Sequence, residues 1–174
     1  MIHRPAVTEH PAFFTKYINC VPSDDLLQEL EHNGKQTIAT LKDVSEEQAN
    51  FRYAPDKWSL KEVIGHMVDT ERIMSYRALR IARGDVTPLP GFDENAYVSH
   101  SDSSERTLAN LLNDFSIVRQ ATINLLEPLS NAAWSRVGVA SNNEITVRAL
   151  GFVIAGHELH HRNVIVERYI GALG

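Results

Sequence analysis

Two histidines four residues apart, His157 and His161, close the stretch Ala149-Leu-Gly-Phe-Val-Ile-Ala-Gly-His157-Glu-Leu-His-His161. On a helix this spacing sets the two imidazoles about 40° apart around the axis. The apolar residues Leu150, Val153, Ile154 and Val164 fall within about 60° of them on the same wheel. Both rings therefore point into the core. Two stacked imidazoles on a buried stripe need a common partner for their ring nitrogens, and a divalent metal supplies one; the alternative is a hydrogen-bonded core pair. An ion held by neutral ligands keeps its double charge, so it can lower the pKa of a water or thiol that it binds. The chemistry in question is attack on a small molecule by hydroxide or by thiolate.

The same residues match H-E-x-x-H, the zinc-peptidase pattern. The extended form of that pattern fails here: Val164 stands where its Gly belongs and Glu167 where its last His belongs. Glu167 also lies about 80° from His157 on a continuing helix, and no edge strand is evident to hold a peptide. A third ligand must come from another helix. His66, in Val63-Ile-Gly-His-Met-Val-Asp69, is the histidine of the second helix, about 100° from the centre of its apolar stripe. Periodicity alone leaves His66 open between ligand and flank residue, although Gly65 beside it allows close backbone approach. Asp69, Glu71 and Glu158 are candidates for supporting the ligands or acting as general base, with solvated helix surface as the alternative. His160 reads as a neighbour of the pair or as surface. His3, His10, His32 and His100 read as solvated.

Four amphipathic segments must position these residues. The first opens at Ser23, carries Leu27, Leu30, Ile38 and Leu41 on one face, and ends near Asp43. Ser45-Glu-Glu-Gln48 is a capping box for a short turn, and Ser59-Leu-Lys-Glu62 is one for the second helix, whose stripe runs through Val63, Ile64, Met67, Met74, Ala78 and Ile81 to Gly84. Arg72, Arg77, Arg80 and Arg83 on this helix form a basic run that reads as a solvated or dimer-facing surface, with a site for an anionic thiol as the alternative. Residues 84–102, with Pro88, Pro90 and Gly91, form a long connection of a length that often serves function. The third helix is predicted from Ser103 to Leu126, with Leu111, Leu112, Phe115, Val118 and Leu125 inward. A turn around Ser130–Trp134 follows, and the fourth helix runs from Thr146 to Tyr169. No strand pair is predicted. The reading is an all-α four-helix bundle spanning 1–174 as a single domain, with residues 1–22 an N-terminal extension packing on the bundle.

The chain has 174 residues, 43% hydrophobic and 22% charged, with net charge -5. A chain of this length buries roughly 70% of its unfolded surface, so any metal is there for chemistry rather than for holding a core. The acidic balance argues against nucleic-acid partners. No run of residues suits a signal peptide or a membrane span, so the expected location is cytoplasmic. The single cysteine, Cys20, excludes an internal disulfide and a cysteine-rich zinc site. Nothing near it in sequence would depress its pKa, so a catalytic thiol would have to come from a cosubstrate.

Lys57-Trp-Ser-Leu-Lys-Glu-Val-Ile-Gly-His66-Met-Val-Asp, Gly91-Phe-Asp-Glu-Asn-Ala-Tyr97 and the segment ending in His157-Glu-Leu-His-His161 together resemble the DinB-like superfamily, closest to its YfiT-like branch of metal-dependent hydrolases and bacillithiol transferases. The likeness runs in order from about residue 10 to the end. It implies a down-up-up-down four-helix bundle, commonly a homodimer, with one divalent ion, zinc or nickel, held by three histidines. Carried onto this chain, the ligands fall on His66, His157 and His161. The resemblance further implies a small-molecule substrate and transfer of a low-molecular-weight thiol or hydrolysis. A metal-binding module without catalysis is the competing class.

Overall fold

The computed structural model describes residues 2–171. Met1 and residues 172–174 of the expected single domain lie outside the described residues. After two 3-10 turns at Val7–Glu9 and Ala12–Phe14, the helices are α1 (Thr15–Ile18), α2 (Leu26–Leu41), α3 (Glu46–Ala49), α4 (Leu60–Ala82), α5 (Glu94–Ser99), α6 (Leu108–Leu126), α7 (Asn131–Trp134) and α8 (Val147–Val164). A π-helical turn over Ile165–Ile170 extends α8.

Side-chain caps set the helix starts. Asp25, not Ser23, caps α2 by accepting from the Gln28 amide; Ser23 instead accepts from the Asp25 amide. The two serine capping boxes form as the sequence prescribes, at Ser45/Gln48 and Ser59/Glu62. Thr107 caps α6, so this helix begins five residues later than predicted, after a 3-10 turn at Ser103–Glu105. Its inward residue at the far end is Leu126, and Leu125 is half-buried. Thr146 caps α8.

The sequence carries no convincing strand pair and leaves short strands in the loops open; one such pair is present. Strands β1 (Val137–Ala140) and β2 (Asn143–Thr146) pair antiparallel through a two-residue turn at Ser141-Asn142. Both turn residues are left-handed, with φ of 51° and 63°, the geometry whose twist suits a tight hairpin. The Leu89 amide donates to Val139 and the Ser141 amide to Leu89, so the hairpin ties down the connection after α4.

Four long helices form the bundle. α4 packs on α8 and α6, and α2 packs on the same two, so α2 lies diagonal to α4 and α6 diagonal to α8. One apolar cluster joins Leu26 and Leu30 of α2, Ala78 and Ile81 of α4, Leu126 of α6 and Leu150 of α8. A second joins Leu41, Leu60, Ile64, Leu111, Phe115 and Ile165. The start of α2 thus sits with the start of α8 and with the ends of α4 and α6. The helices run down, up, up, down. Between the two clusters lies a polar layer centred on Arg119, whose Nε and Nη2 donate to the two oxygens of Glu71 at 2.9 and 2.8 Å and whose Nη1 donates to Glu158 at 2.6 Å.

The N-terminal segment lies along α8. Glu9 accepts from Arg148 Nε at 2.7 Å and from Thr146 Oγ1, while Arg4 donates to the Ile18 and Val21 carbonyls, each at 2.7 Å. His10 is buried here, with Nδ1 3.1 Å from the Pro11 carbonyl, and is not solvated as read from sequence. His3, His32 and His100 are exposed. No helix among the described residues is long and apolar enough to cross a membrane.

Candidate metal centre

His66 sits near the start of α4 and His157 and His161 near the end of α8, where the antiparallel pair brings residues 91 apart in sequence into contact. His66 Nε2 lies 3.1 Å from His157 Nε2, and His161 Nε2 lies 3.1 Å from the same atom. One nitrogen from each ring falls within 4.8 Å of the others. His66, a flank position by periodicity, is only 8% exposed because Trp58 covers it, with ring centroids 4.7 Å apart. Trp58 is in turn held by the Tyr169 hydroxyl, which donates to its carbonyl at 2.6 Å.

Close packing sets the other wall. A Cβ on Gly156 would lie 1.9 Å from the Tyr17 carbonyl oxygen, so the glycine before His157 is what lets α1 reach α8. The Tyr17 ring then meets His157 edge-on at 5.3 Å and His160 at 5.4 Å. His160 is half-buried beside the trio and is not one of its converging nitrogens. Gly65 serves similarly, since its Cβ would fall 2.1 Å from Ser103 Oγ.

Burial lowers the pKa of all three imidazoles, to about 4 at His66 and about 3 at His161, with mutual repulsion adding at His157 and His161. They are neutral at pH 7. A neutral imidazole Nε2 carries either one proton or one lone pair, so His157 Nε2 can satisfy only one of its two neighbours by hydrogen bonding. An ion facing three lone pairs would satisfy all of them, and three neutral nitrogens are the donor set that suits zinc or nickel while leaving a coordination position open. The residues present fit the metal.

A cavity of about 400 Å³ opens on the trio. Its walls are mainly aromatic, with Phe14, Tyr17, Trp58 and Phe92, and α4 lines it with His66, Thr70, Met74 and Arg77. Phe92 and Glu94, from the Gly91–Tyr97 motif, reach it as well, while Asp93 caps α5 by accepting from the Asn95 and Ala96 amides.

The acidic candidates are not in this cavity. Glu158 points into the polar layer, where Thr37 donates to one of its oxygens at 2.7 Å and Arg119 to the other at 2.6 Å. Glu71 is bound on the same guanidinium. Asp69 lies beside Arg72 on the outer side of α4, its carboxyl pushed up by burial with Arg72 opposing. Arg77 corrects the reading of a solvated arginine run: it is 3% exposed and lines the cavity, whereas Arg72 and Arg80 pair with Asp114 and Asp85. Cys20 donates to the Lys16 carbonyl and lies outside the cavity lining. Arg119 escaped the sequence reading, and Arg77 was not told apart from the other arginines of its run. The available signals were a charge set among Phe115, Val118 and Thr122 of one stripe, and a charge in helical register with His66.

The family model of the DinB superfamily matches residues 29–165, which takes in α4, α6, α8, all but the first three residues of α2, and all three histidines. The chain belongs to the DinB superfamily. Among solved structures, this DinB-superfamily chain is similar to YfiT from Bacillus subtilis, described as a probable metal-dependent hydrolase with an unusual four-helix bundle topology. The two share 18% identity with a TM-score of 0.74, over 98% of this chain and 93% of the other. The likeness establishes the bundle topology, in agreement with the diagonal order of helices described above. No curated protein matches the chain.

Proposed function

We propose that the chain is a metal-dependent enzyme acting on a small molecule, with His66, His157 and His161 holding one divalent ion, zinc or nickel. The observation that carries this reading is the convergence of three neutral Nε2 atoms at the end of a cavity, with His157 unable to satisfy both neighbours. A divalent ion held there supplies a Lewis-acid position that lowers the pKa of a water or thiol. The Trp58 and Tyr17 rings pack on the imidazoles and hold their orientation.

Transfer of a low-molecular-weight thiol to an electrophile is favoured over hydrolysis. Hydrolysis moves a second proton onto the leaving group and is helped by a carboxylate beside the ion; among the described residues none joins the histidine cluster, and Glu94 is the carboxylate on the cavity wall. A thiol has one proton to lose and ionises near neutrality without such a base. Sulfur forms the new bond to carbon, the leaving group departs with its electron pair, and the thiol proton passes to solvent. Cys20 supplies no thiol here, so the cosubstrate does. A homodimer in the cytoplasm belongs to the same proposal.

Elemental analysis of untagged protein tests the centre: about one zinc or nickel per chain is expected, lost in His157→Ala. Protein that binds neither ion overturns it. A panel of small thiols with a generic electrophile, run beside a panel of esters, then separates transferase from hydrolase. Turnover with neither by metal-loaded protein favours a binding module.

A further inference from the structure

His66, Thr70, Met74 and Arg77 line one side of the cavity along a single face of α4. Eleven residues separate the first from the last, about 16 Å of helix rise. The histidine end is neutral and the far end carries a cation. Three cationic side chains are buried among the described residues, Lys61, Arg77 and Arg119. Lys61 is paired with Glu46 and Arg119 with Glu71 and Glu158. Arg77 alone has no carboxylate. Its Nη2 donates to the Pro90 carbonyl at 2.7 Å and to Ser141 Oγ at 3.0 Å, and its Nη1 meets only the Met74 sulfur at 3.5 Å. Glu94 lines the cavity too but is exposed and makes no ion pair with Arg77. Burial without an opposite charge lowers the Arg77 pKa, the reverse of the trend at Arg119. Between the two ends stands Thr70, 5% exposed, whose Oγ1 has no hydrogen-bond partner although it is buried in the cavity wall.

A buried cation without a counter-charge, on the wall of a cavity, is a costly arrangement, tolerated where a ligand completes it. We propose that Arg77 forms an anion-recognition subsite, so that the small molecule taken by this cavity is elongated and carries an anionic group, a carboxylate in the simplest case, at the end remote from its reacting atom. The anion pairs with the guanidinium held in place by Pro90 and Ser141, and the Met74 and Phe92 side chains cover the apolar stretch. The tip of the hairpin, through Ser141, fixes the orientation of the arginine. The reacting end of this assignment rests on the metal reading above; the Arg77 end does not.

The test uses metal-loaded protein and titration calorimetry. Straight-chain hydroxamic acids anchor on a metal, and a homologous series ending in carboxylate is compared with the same series ending in hydroxyl. At the chain length that spans the cavity, the carboxylate compound is expected to bind roughly tenfold or more tightly, the gain of a charge-assisted pair with a buried guanidinium. The ratio should fall to about one in Arg77→Met and to an intermediate value in Arg77→Lys, which keeps the charge without the fork. Thr70→Val, which alters the same wall without touching the cation, should leave the ratio unchanged. Hexanoate against hexan-1-ol, compared on metal-free protein so that no ion can take the carboxylate, reads Arg77 alone. Equal binding of carboxylate and hydroxyl compounds at every length by wild-type protein overturns the subsite, as does a carboxylate advantage that survives in a folded Arg77→Met protein. Failure of acetohydroxamate to bind, with hexanoate still preferred over hexan-1-ol, upholds the subsite and overturns the metal centre.

Discussion

Arg119 is buried within hydrogen-bond reach of four acceptors: both oxygens of Glu71, one of Glu158 and the Leu30 carbonyl. Desolvation opposes its charge, but the two carboxylates more than offset it and hold its pKa above the usual range. Arg119→Met strands two carboxylates in the polar layer and is expected to destabilise by about 3 to 5 kcal/mol. Glu158→Gln, which keeps an acceptor for Thr37, should cost clearly less. Denaturant midpoints measure both, and elemental analysis should find the metal retained in both. Metal loss in Glu158→Gln with the midpoint unchanged would return Glu158 to the metal centre. The histidines give a pH dependence. Their folded pKa values lie below the unfolded value near 6.5, so the unfolded chain binds more protons between about pH 6.5 and 4. Metal-free protein should therefore lose stability as pH falls through that window, and His66→Gln should flatten the loss in a series of urea melts. Helical phase made His157 and His161 legible in the sequence, but His66 stayed an open candidate until the family likeness, because what buries it is Trp58, eight residues earlier and outside the helix whose stripe was read. Arg77 and Arg119 were not legible, since a charge on an apolar stripe has no counterpart in sequence until the facing helix is known.

At the scale of elements, caps carried most of the legible information. Ser45, Ser59 and Thr146 open their helices where the sequence placed them, because the cap oxygen and the amide that donates to it lie three residues apart and need no tertiary partner. The hairpin was not legible. Its strands are four residues each, its turn uses Ser141 and Asn142 where glycine is the usual mark, and Gly138 is fixed by close approach to Ile81 of α4. The junction of α1 with α8 is equally a matter of tertiary contact. Gly156→Ala places a methyl on the Tyr17 carbonyl, which is backbone and cannot swing aside. It is expected to push α1 off α8, lower the melting temperature by several degrees, and raise the protease sensitivity of the N-terminal segment, with α4 and α6 unaffected. Gly65→Ala meets a serine side chain that can rotate, and should be milder on the same melting scale.

For the molecule as a whole, the ligands join two helices that no short connection links, so an ion binds the folded state and has little to bind in the unfolded one. Free metal at 100 times its dissociation constant should add about 2.7 kcal/mol, or about 5 to 10 °C in melting temperature for a domain of this size. Differential scanning calorimetry of metal-free protein with and without added zinc reads the shift, which His157→Ala should abolish. The down-up-up-down order was legible through resemblance alone, because amphipathic stripes say which face is buried and nothing about which neighbour buries it.

The diagonal placement of consecutive helices bears on how the chain reaches this state. In an up-and-down bundle each helix can zip onto the one before it through a short turn, and structure grows by local accretion. Here α2 meets α6 and α8, and α4 meets α8, each across at least one intervening long helix. Only α4 and α6 are sequential neighbours in contact, and they run parallel across a long connection. No helical hairpin exists to nucleate on. The transition state must close loops of many residues before it gains its first antiparallel helix pair, which slows folding relative to an up-and-down bundle of equal length and stability.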